Sequence, residues 1–189
     1  TIAAGAPGQT SWGRALFDIP AQRCGYDIHC QESGLKQLVS KLVLPYTMRC
    51  GLIKKLPRPV KGGSLLDVGC GNGEMLTRYA RLGWKTSGVE ISPASAKFAA
   101  EAGHEMVVGE IFDGNYADGQ FDAVTLWDAL EHIHNPLEVM REVRRILKPG
   151  GRVYVSVPNV GSRYAERYRD KWYMFTAPVH YYHYNGATL

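Results

Sequence analysis

Blocks of apolar residues recur along the last two thirds of this chain, each closed by an acid, a glycine or a proline. Ser64–Val68 is a short apolar run interrupted by Asp67 and followed by glycines at 69, 71 and 73. Such a run reads as a buried strand turning sharply into the helical pattern of Glu74 to Leu82. Lys85–Glu90 is a second short strand. Ser92-Pro93 then opens a helix to about Ala102, with Ser92 as the cap and Pro93 in the first helical position. Glu105–Val108 reads as a third strand, Asp113–Gln120 as a polar loop, and Phe121–Asp128 as a fourth strand. Asn135 caps a further helix, whose apolar side is Leu137, Val139, Met140, Val143, Ile146 and Leu147. Lys148-Pro-Gly-Gly151 turns into a fifth strand, Arg152 to Val157, ended by Pro158-Asn159. Strands alternating with helices at this interval predict a parallel, doubly wound α/β sheet of about five strands, in the order 3-2-1-4-5.

The first third has a different texture. Residues 1 to 13 are rich in Gly, Ala and Ser, and Trp12, Leu16, Phe17 and Ile19 suit a packing segment. Leu35, Leu38, Val39, Leu42 and Val43 are spaced for an amphipathic helix that Pro45 stops. Residues 46–56 suit a second short helix, before a linker of Pro57, Pro59, Gly62 and Gly63. The expected organisation is a helical lead-in over 1–60 and an α/β domain over 61–189.

Composition narrows the function classes. A chain of 189 residues, 45% hydrophobic and 21% charged, has the make-up of one globular domain. Its net charge of +4 is mild and forms no basic stripe, so nucleic acid is not an expected partner. No apolar run approaches membrane-spanning length, and the start has no signal-peptide shape. Thr1 in place of an initiator Met fits a trimmed chain. Cys24, Cys30, Cys50 and Cys70 form no Cys-x-x-Cys pair. Cys24, His29, Cys30 and Cys50 are loosely spaced for zinc, and free thiols of a reducing cytoplasm are the simpler expectation. Cys70 suits a small packing residue in the glycine loop.

The chemistry concentrates at strand ends. Asp67, Glu90, Glu110 and Asp128 stand at or near the carboxyl ends of four predicted strands, where open α/β sheets bind ligands. Glu90 lies some twenty residues past the glycine loop, the offset at which an acid accepts hydrogen bonds from ribose hydroxyls. The loop reads Gly-x-Gly-x-Gly rather than the dinucleotide Gly-x-Gly-x-x-Gly. An acid two residues before its first glycine disfavours a pyrophosphate and favours a cationic ligand.

With these residues the chain resembles the class I S-adenosylmethionine-dependent methyltransferases. Leu65-Leu-Asp-Val-Gly-Cys-Gly-Asn-Gly73 resembles their first motif. Phe121-Asp-Ala-Val, Leu130-Glu-His-Ile and Leu147-Lys-Pro-Gly-Gly-Arg-Val-Tyr-Val resemble later ones. Leu130-Glu-His132 followed by Asn135-Pro136 is similar to the small-molecule branch that includes the ubiquinone-biosynthesis O-methyltransferases. Pro178-Val-His-Tyr-Tyr-His183 resembles a Pro-x-His-x-x-His tract of bacterial methyltransferases. The resemblance covers about Ser64 to Leu189. It implies a Rossmann-like sheet and a helical segment over the site. It also implies S-adenosylmethionine as cofactor, with S-adenosylhomocysteine as product. The implied cofactor set is Asp67, Gly69, Cys70, Gly71, Gly73, Glu90, Ile91, Glu110, Ile111, Trp127, Asp128 and His132, with Glu110 at the adenine amino group and Ile111 against the ring. His132 and His180 are the candidate bases for an oxygen acceptor; His183 stands beside His180 on the same grounds, and His134 suits a solvated position. No carboxylate cluster of the metal-dependent catechol enzymes stands out, so no metal is expected.

One departure accompanies the resemblance. Such enzymes usually end in two more strands, and here Asn185-Gly-Ala-Thr-Leu189 reads as a helix start instead. The fifth strand would then be an open edge, which leaves a homo-oligomer as one expectation. A small-molecule acceptor is the expected partner. Two other functions stay open on the residues alone: a nicotinamide-dependent oxidoreductase, and a cofactor-binding scaffold without turnover.

Overall fold

Ser64–Val68 forms β1 because a segment that is apolar but for Ser64 and Asp67 is satisfied where both faces of a strand are covered. Leu65 and Leu66 are fully buried. The computed structural model describes Pro57, Val60 and Gly62–Leu189, all within one unit of the chain, Pro57–Leu189. The expectations for the lead-in, its helices and its cysteines lie outside the described residues.

The elements follow as α1 (Glu74–Arg81), β2 (Lys85–Glu90), α2 (Pro93–Glu101), β3 (Glu105–Val108), β4 (Phe121–Trp127), α3 (Pro136–Ile146), β5 (Leu147–Ser156) and α4 (Arg163–Tyr168). The five strands form one sheet in the order β3-β2-β1-β4-β5. Every pairing is parallel. The two most buried strands, β1 and β4, lie side by side in the interior, while β3 and β5 carry more exposed positions. The core gathers Leu66, Val68, Val124, Leu126, Val139, Val143 and Ile146 between the sheet and α3. This is the doubly wound, Rossmann-like architecture that the alternation of elements predicts.

Local chemistry explains the helix starts. Ser92 Oγ accepts from Ser95 N at 3.3 Å, capping α2 ahead of Pro93. α1 begins without a side-chain cap, at Gly73 in the left-handed region with φ 79°. A Cβ there would meet Ala99 Cβ at 2.7 Å, so only glycine lets α1 approach α2 this closely.

The structure departs from the sequence reading at several points. Asn135 precedes α3 but caps it only through its backbone carbonyl, which accepts from Val139 N at 3.2 Å; its side chain makes no cap bond. Leu137 is 72% exposed. Val139, Val143 and Ile146 define the buried face at spacings of four and three, and Leu137 falls outside that stripe. Lys148–Gly151 is not a turn ahead of the last strand but an excursion within it. Leu147 pairs with Phe121, and pairing resumes at Arg152 opposite Ala123. Extra residues on one strand thus bulge the ladder without ending it. Asn185–Leu189 starts no helix. Its side chain accepts from Ala187 N and Thr188 N and closes a single turn.

Candidate functional site

Parallel strands bring all their carboxyl ends to one side, and a cavity of about 400 Å³ opens there, within the size range of small-molecule sites. Its wall draws on the ends of four strands. Val68 and Gly69 come from β1, Val89, Glu90 and Ile91 from β2, Gly109, Glu110 and Ile111 from β3, and Asp128, Ala129 and His132 from β4. Ile133, His134, Val139 and Tyr181 complete it.

Glu90 ties the glycine loop to β2. Its Oε2 accepts from Gly71 N and its Oε1 from Ser92 N, each at 2.9 Å. A carboxylate has about four acceptor sites, so capacity remains for hydroxyl groups of a ligand. Gly69 has φ 73°, and a Cβ on it would lie 2.9 Å from Ala129 Cβ. The loop therefore passes the β4 exit with no room for a side chain. Asp128 is in the left-handed region, with φ 51°. Its N–H donates to the Ser156 carbonyl at 2.8 Å, and its Oδ1 accepts from Ser156 Oγ at 2.9 Å. A strained backbone held in place by two bonds is a recurring property of ligand-contacting residues.

Of the sequence-predicted cofactor residues, Gly69, Glu90, Ile91, Glu110, Ile111, Asp128 and His132 line this one cavity. Asp67, Cys70, Gly71, Gly73 and Trp127 do not. Asp67 is 2% exposed and accepts from Thr125 Oγ1 at 2.5 Å, a bond that ties β1 to β4. Cys70 is buried, and its thiol is pushed up to about 12, first by burial and then by Asp67 and Glu90. It is a packing thiol rather than a nucleophile. The Trp127 indole N–H donates to the Tyr79 hydroxyl of α1.

The tail reaches the β4 exit. Tyr181 N and Tyr182 N both donate to the Glu131 carbonyl, at 2.9 and 3.4 Å. Tyr182 Oη donates to the His134 carbonyl at 2.9 Å, and the Tyr181 ring lies 4.0 Å from that of His134. His132 Nδ1 stands 3.0 Å from the Val179 carbonyl oxygen. A carbonyl only accepts, so Nδ1 carries the proton in the neutral ring and Nε2 keeps its lone pair. The His180 ring packs edge-on against His132, with centroids 4.6 Å apart. His180 itself is not in the cavity lining, and neither is His183, whose ring is 6.2 Å from that of His180.

Sequence reasoning missed Glu131. It is 1% exposed, and burial holds its carboxyl above the usual carboxylate range. Among the described residues, Glu131, His132 and His180 bring one polar atom each to within 4.8 Å of one another. The acid directly before His132 was the available signal. The apolar wall residues Val68, Val89, Ile133 and Val139 were also missed as site residues, because nothing in their type separates them from core.

A parallel sheet in this order, with a glycine loop after β1 and acids at the next strand ends, defines a Rossmann-like domain that binds a nucleotide-type ligand at its carboxyl edge. A family profile described as a methyltransferase domain matches residues 43–189, and the chain belongs to that family. The ubiquinone biosynthesis O-methyltransferase of Xanthomonas oryzae pv. oryzae is 35% identical over 105 residues, covering 52% of this chain and 44% of the relative. That of Thiobacillus denitrificans is 36% identical over 109 residues, covering 53% and 47%. The matches thus span a little under half the length of these curated relatives. Among solved structures, a SAM-dependent methyltransferase of Thermotoga maritima shares the fold, with TM-score 0.56 and 23% identity over 76% of this chain and 63% of its own. The phosphoethanolamine N-methyltransferase 2 of Haemonchus contortus, solved in complex with S-adenosyl-L-methionine, matches with TM-score 0.50 and 26% identity. That match covers 60% of this chain and 29% of the other.

Proposed function

We propose that this chain binds S-adenosylmethionine in the strand-end cavity and transfers its methyl group to a small-molecule acceptor, at oxygen. The observation that carries the reading is the convergence of Gly69, Glu90, Glu110, Asp128 and His132 on one cavity. Three carboxylates in one wall suit a ligand that carries an ammonium and a sulfonium, and they oppose the pyrophosphate of a nicotinamide cofactor. Glu90 holds the ribose hydroxyls with its remaining acceptor capacity. Glu110 takes the adenine amino group, while Ile91 and Ile111 flank the ring. Gly69, which lines the cavity without a side chain, lets the ligand's amino-acid portion approach the loop backbone. The relatives named as ubiquinone biosynthesis O-methyltransferases support oxygen as the acceptor atom.

Bound cofactor supplies a methyl group already activated on sulfur, so the chain's task is chiefly alignment. His132 is the base of the reading. Its Nε2 removes the acceptor's proton while Val179 holds the ring through Nδ1–H. Tyr181 and Ile133, which line the same cavity, provide apolar surface for the acceptor.

The test is calorimetric titration with S-adenosylhomocysteine, repeated on Glu90→Ala. Expected is binding to the native chain that weakens at least tenfold in the variant, about 1.4 kcal/mol. No binding to the folded native chain would sink the reading. Equal binding by both proteins would remove Glu90 from it.

A further inference from the structure

We propose that Tyr182 is a positioning residue: its hydroxyl latches the strap 160–184 onto the loop after β4, and the latched strap keeps the lone pair of His132 on Nε2. The inference deepens the base-assisted reading above and rests on it. The strap leaves and returns at one point. Asn159 bridges to Tyr184, and Val160 N donates to the Tyr184 carbonyl at 2.9 Å. Tyr184 is buried in the main core, so this root is fixed. Between its ends the strap packs on itself. The Trp172 and Phe175 ring centroids lie 5.3 Å apart, and those of Phe175 and His183 lie 5.0 Å apart.

The far part of the strap is joined to the loop by named bonds. Tyr181 N and Tyr182 N both donate to the Glu131 carbonyl, His132 Nδ1 faces the Val179 carbonyl, and Tyr182 Oη donates to the His134 carbonyl. All but the last use strap backbone, which any residue except proline supplies. The Tyr182 hydroxyl alone among them depends on the identity of a strap residue. The carbonyls of Glu131 and His134 bracket His132 in the chain, so Tyr182 grips the loop on both sides of that imidazole. A free imidazole carries its proton mainly on Nε2. Within a protein the tautomer follows the hydrogen bond that the ring makes, and the Val179 carbonyl, which only accepts, draws the proton to Nδ1. Val179 is placed for this by a turn in which its own N–H donates to the Thr176 carbonyl at 2.7 Å. Undocking the strap withdraws the Val179 carbonyl. The ring then returns to the tautomer whose Nε2 already carries a proton, and that atom can take none from an acceptor.

The experiment compares the native chain with Tyr182→Phe and with a control, Tyr173→Phe, which removes a hydroxyl from a strap residue that is 77% exposed. Amide hydrogen exchange at Tyr181 and Tyr182 reads the docking. The 15N shifts of the His132 ring, taken at about pH 8, above the ordinary histidine range, read the tautomer. In Tyr182→Phe both amides should exchange at least about threefold faster, the scale of one exposed hydrogen bond. The ratio of Nε2–H to Nδ1–H in His132 should rise by a similar factor. Unchanged exchange overturns the proposal. So does faster exchange with an unmoved tautomer, because Tyr182 would then be structural only. Equal changes in Tyr173→Phe would make the effect a general loosening and overturn it as well. S-adenosylhomocysteine should bind Tyr182→Phe as it binds the native chain, since Gly69, Glu90 and Glu110 stand at the ends of β1, β2 and β3. A weakening as large as the change in exchange would put Tyr182 in the cofactor wall and overturn its positioning role. Should S-adenosylhomocysteine fail to bind the native chain while exchange and tautomer change as expected, the cofactor reading falls and the latch stands.

Discussion

His104 shows how far a single buried imidazole constrains this protein. It is 8% exposed, and its two ring nitrogens face Thr77 Oγ1 at 3.0 Å and Thr86 Oγ1 at 2.8 Å, joining α1 to β2. Burial lowers its pKa below the ordinary 6.5. The unfolded chain therefore takes up the proton first as pH falls. The stabilising contribution of neutral His104 is complete above pH 6.5 and is lost progressively as pH falls from there through the lower folded value. Denaturant midpoints should decline between pH 7 and pH 5, and His104→Gln should flatten that decline. An unchanged slope in the variant would assign the effect to other groups. At this scale the sequence was only partly legible. Glu90 and Asp128 declared themselves by position and line the cavity. Asp67 was equally conspicuous, yet it lies outside the cavity lining and bonds Thr125, a partner 58 residues away that no local pattern reveals. Glu131 passed unnoticed for a similar reason, since the tail residues that bond its carbonyl, Tyr181 and Tyr182, lie far along the chain.

Among the elements, the glycine loop and α1 are the most sharply specified. Gly73 combines a left-handed backbone with a 2.7 Å approach to Ala99, so Gly73→Ala incurs both conformational strain and overpacking. The expected loss is about 1–3 kcal/mol of folding stability. Chemical denaturation measures it, and a loss under about 0.5 kcal/mol, within the range of ordinary surface changes, would mean that α1 and α2 separate easily. Strands β1 and β4 were legible because burial on both faces leaves an apolar run with clear ends. The excursion at Lys148–Gly151 was not. Pro, Gly and Gly spell a turn locally, whereas the ladder with β4 resumes on its far side. Leu137 misled in the same way, since an apolar residue near a helix start carries no label saying which face it occupies.

Across the whole molecule, the central pair of strands sets cooperativity. Leu66 is fully buried in β1 between β2 and β4, within the main core. Leu66→Ala should cost about 2–5 kcal/mol and should move every spectroscopic probe of unfolding together. Separate transitions for the β3 and β5 sides of the sheet would contradict a single core. Exposed ion pairs such as Arg78–Glu74 and Lys97–Glu101 contribute far less. Strand order followed from the alternation of elements, because right-handed crossovers leave few ways to arrange five parallel strands.

The attachment of the tail carries one more consequence. Tyr181 and Tyr182 are anchored through their amide N–H groups, and every amino acid except proline supplies the same donor. Residue identity at 181 can therefore drift without undocking the segment, while each change repaints the cavity wall. A lineage built this way can alter that wall by point mutation on a fixed backbone anchor, leaving the strands of the folding core untouched.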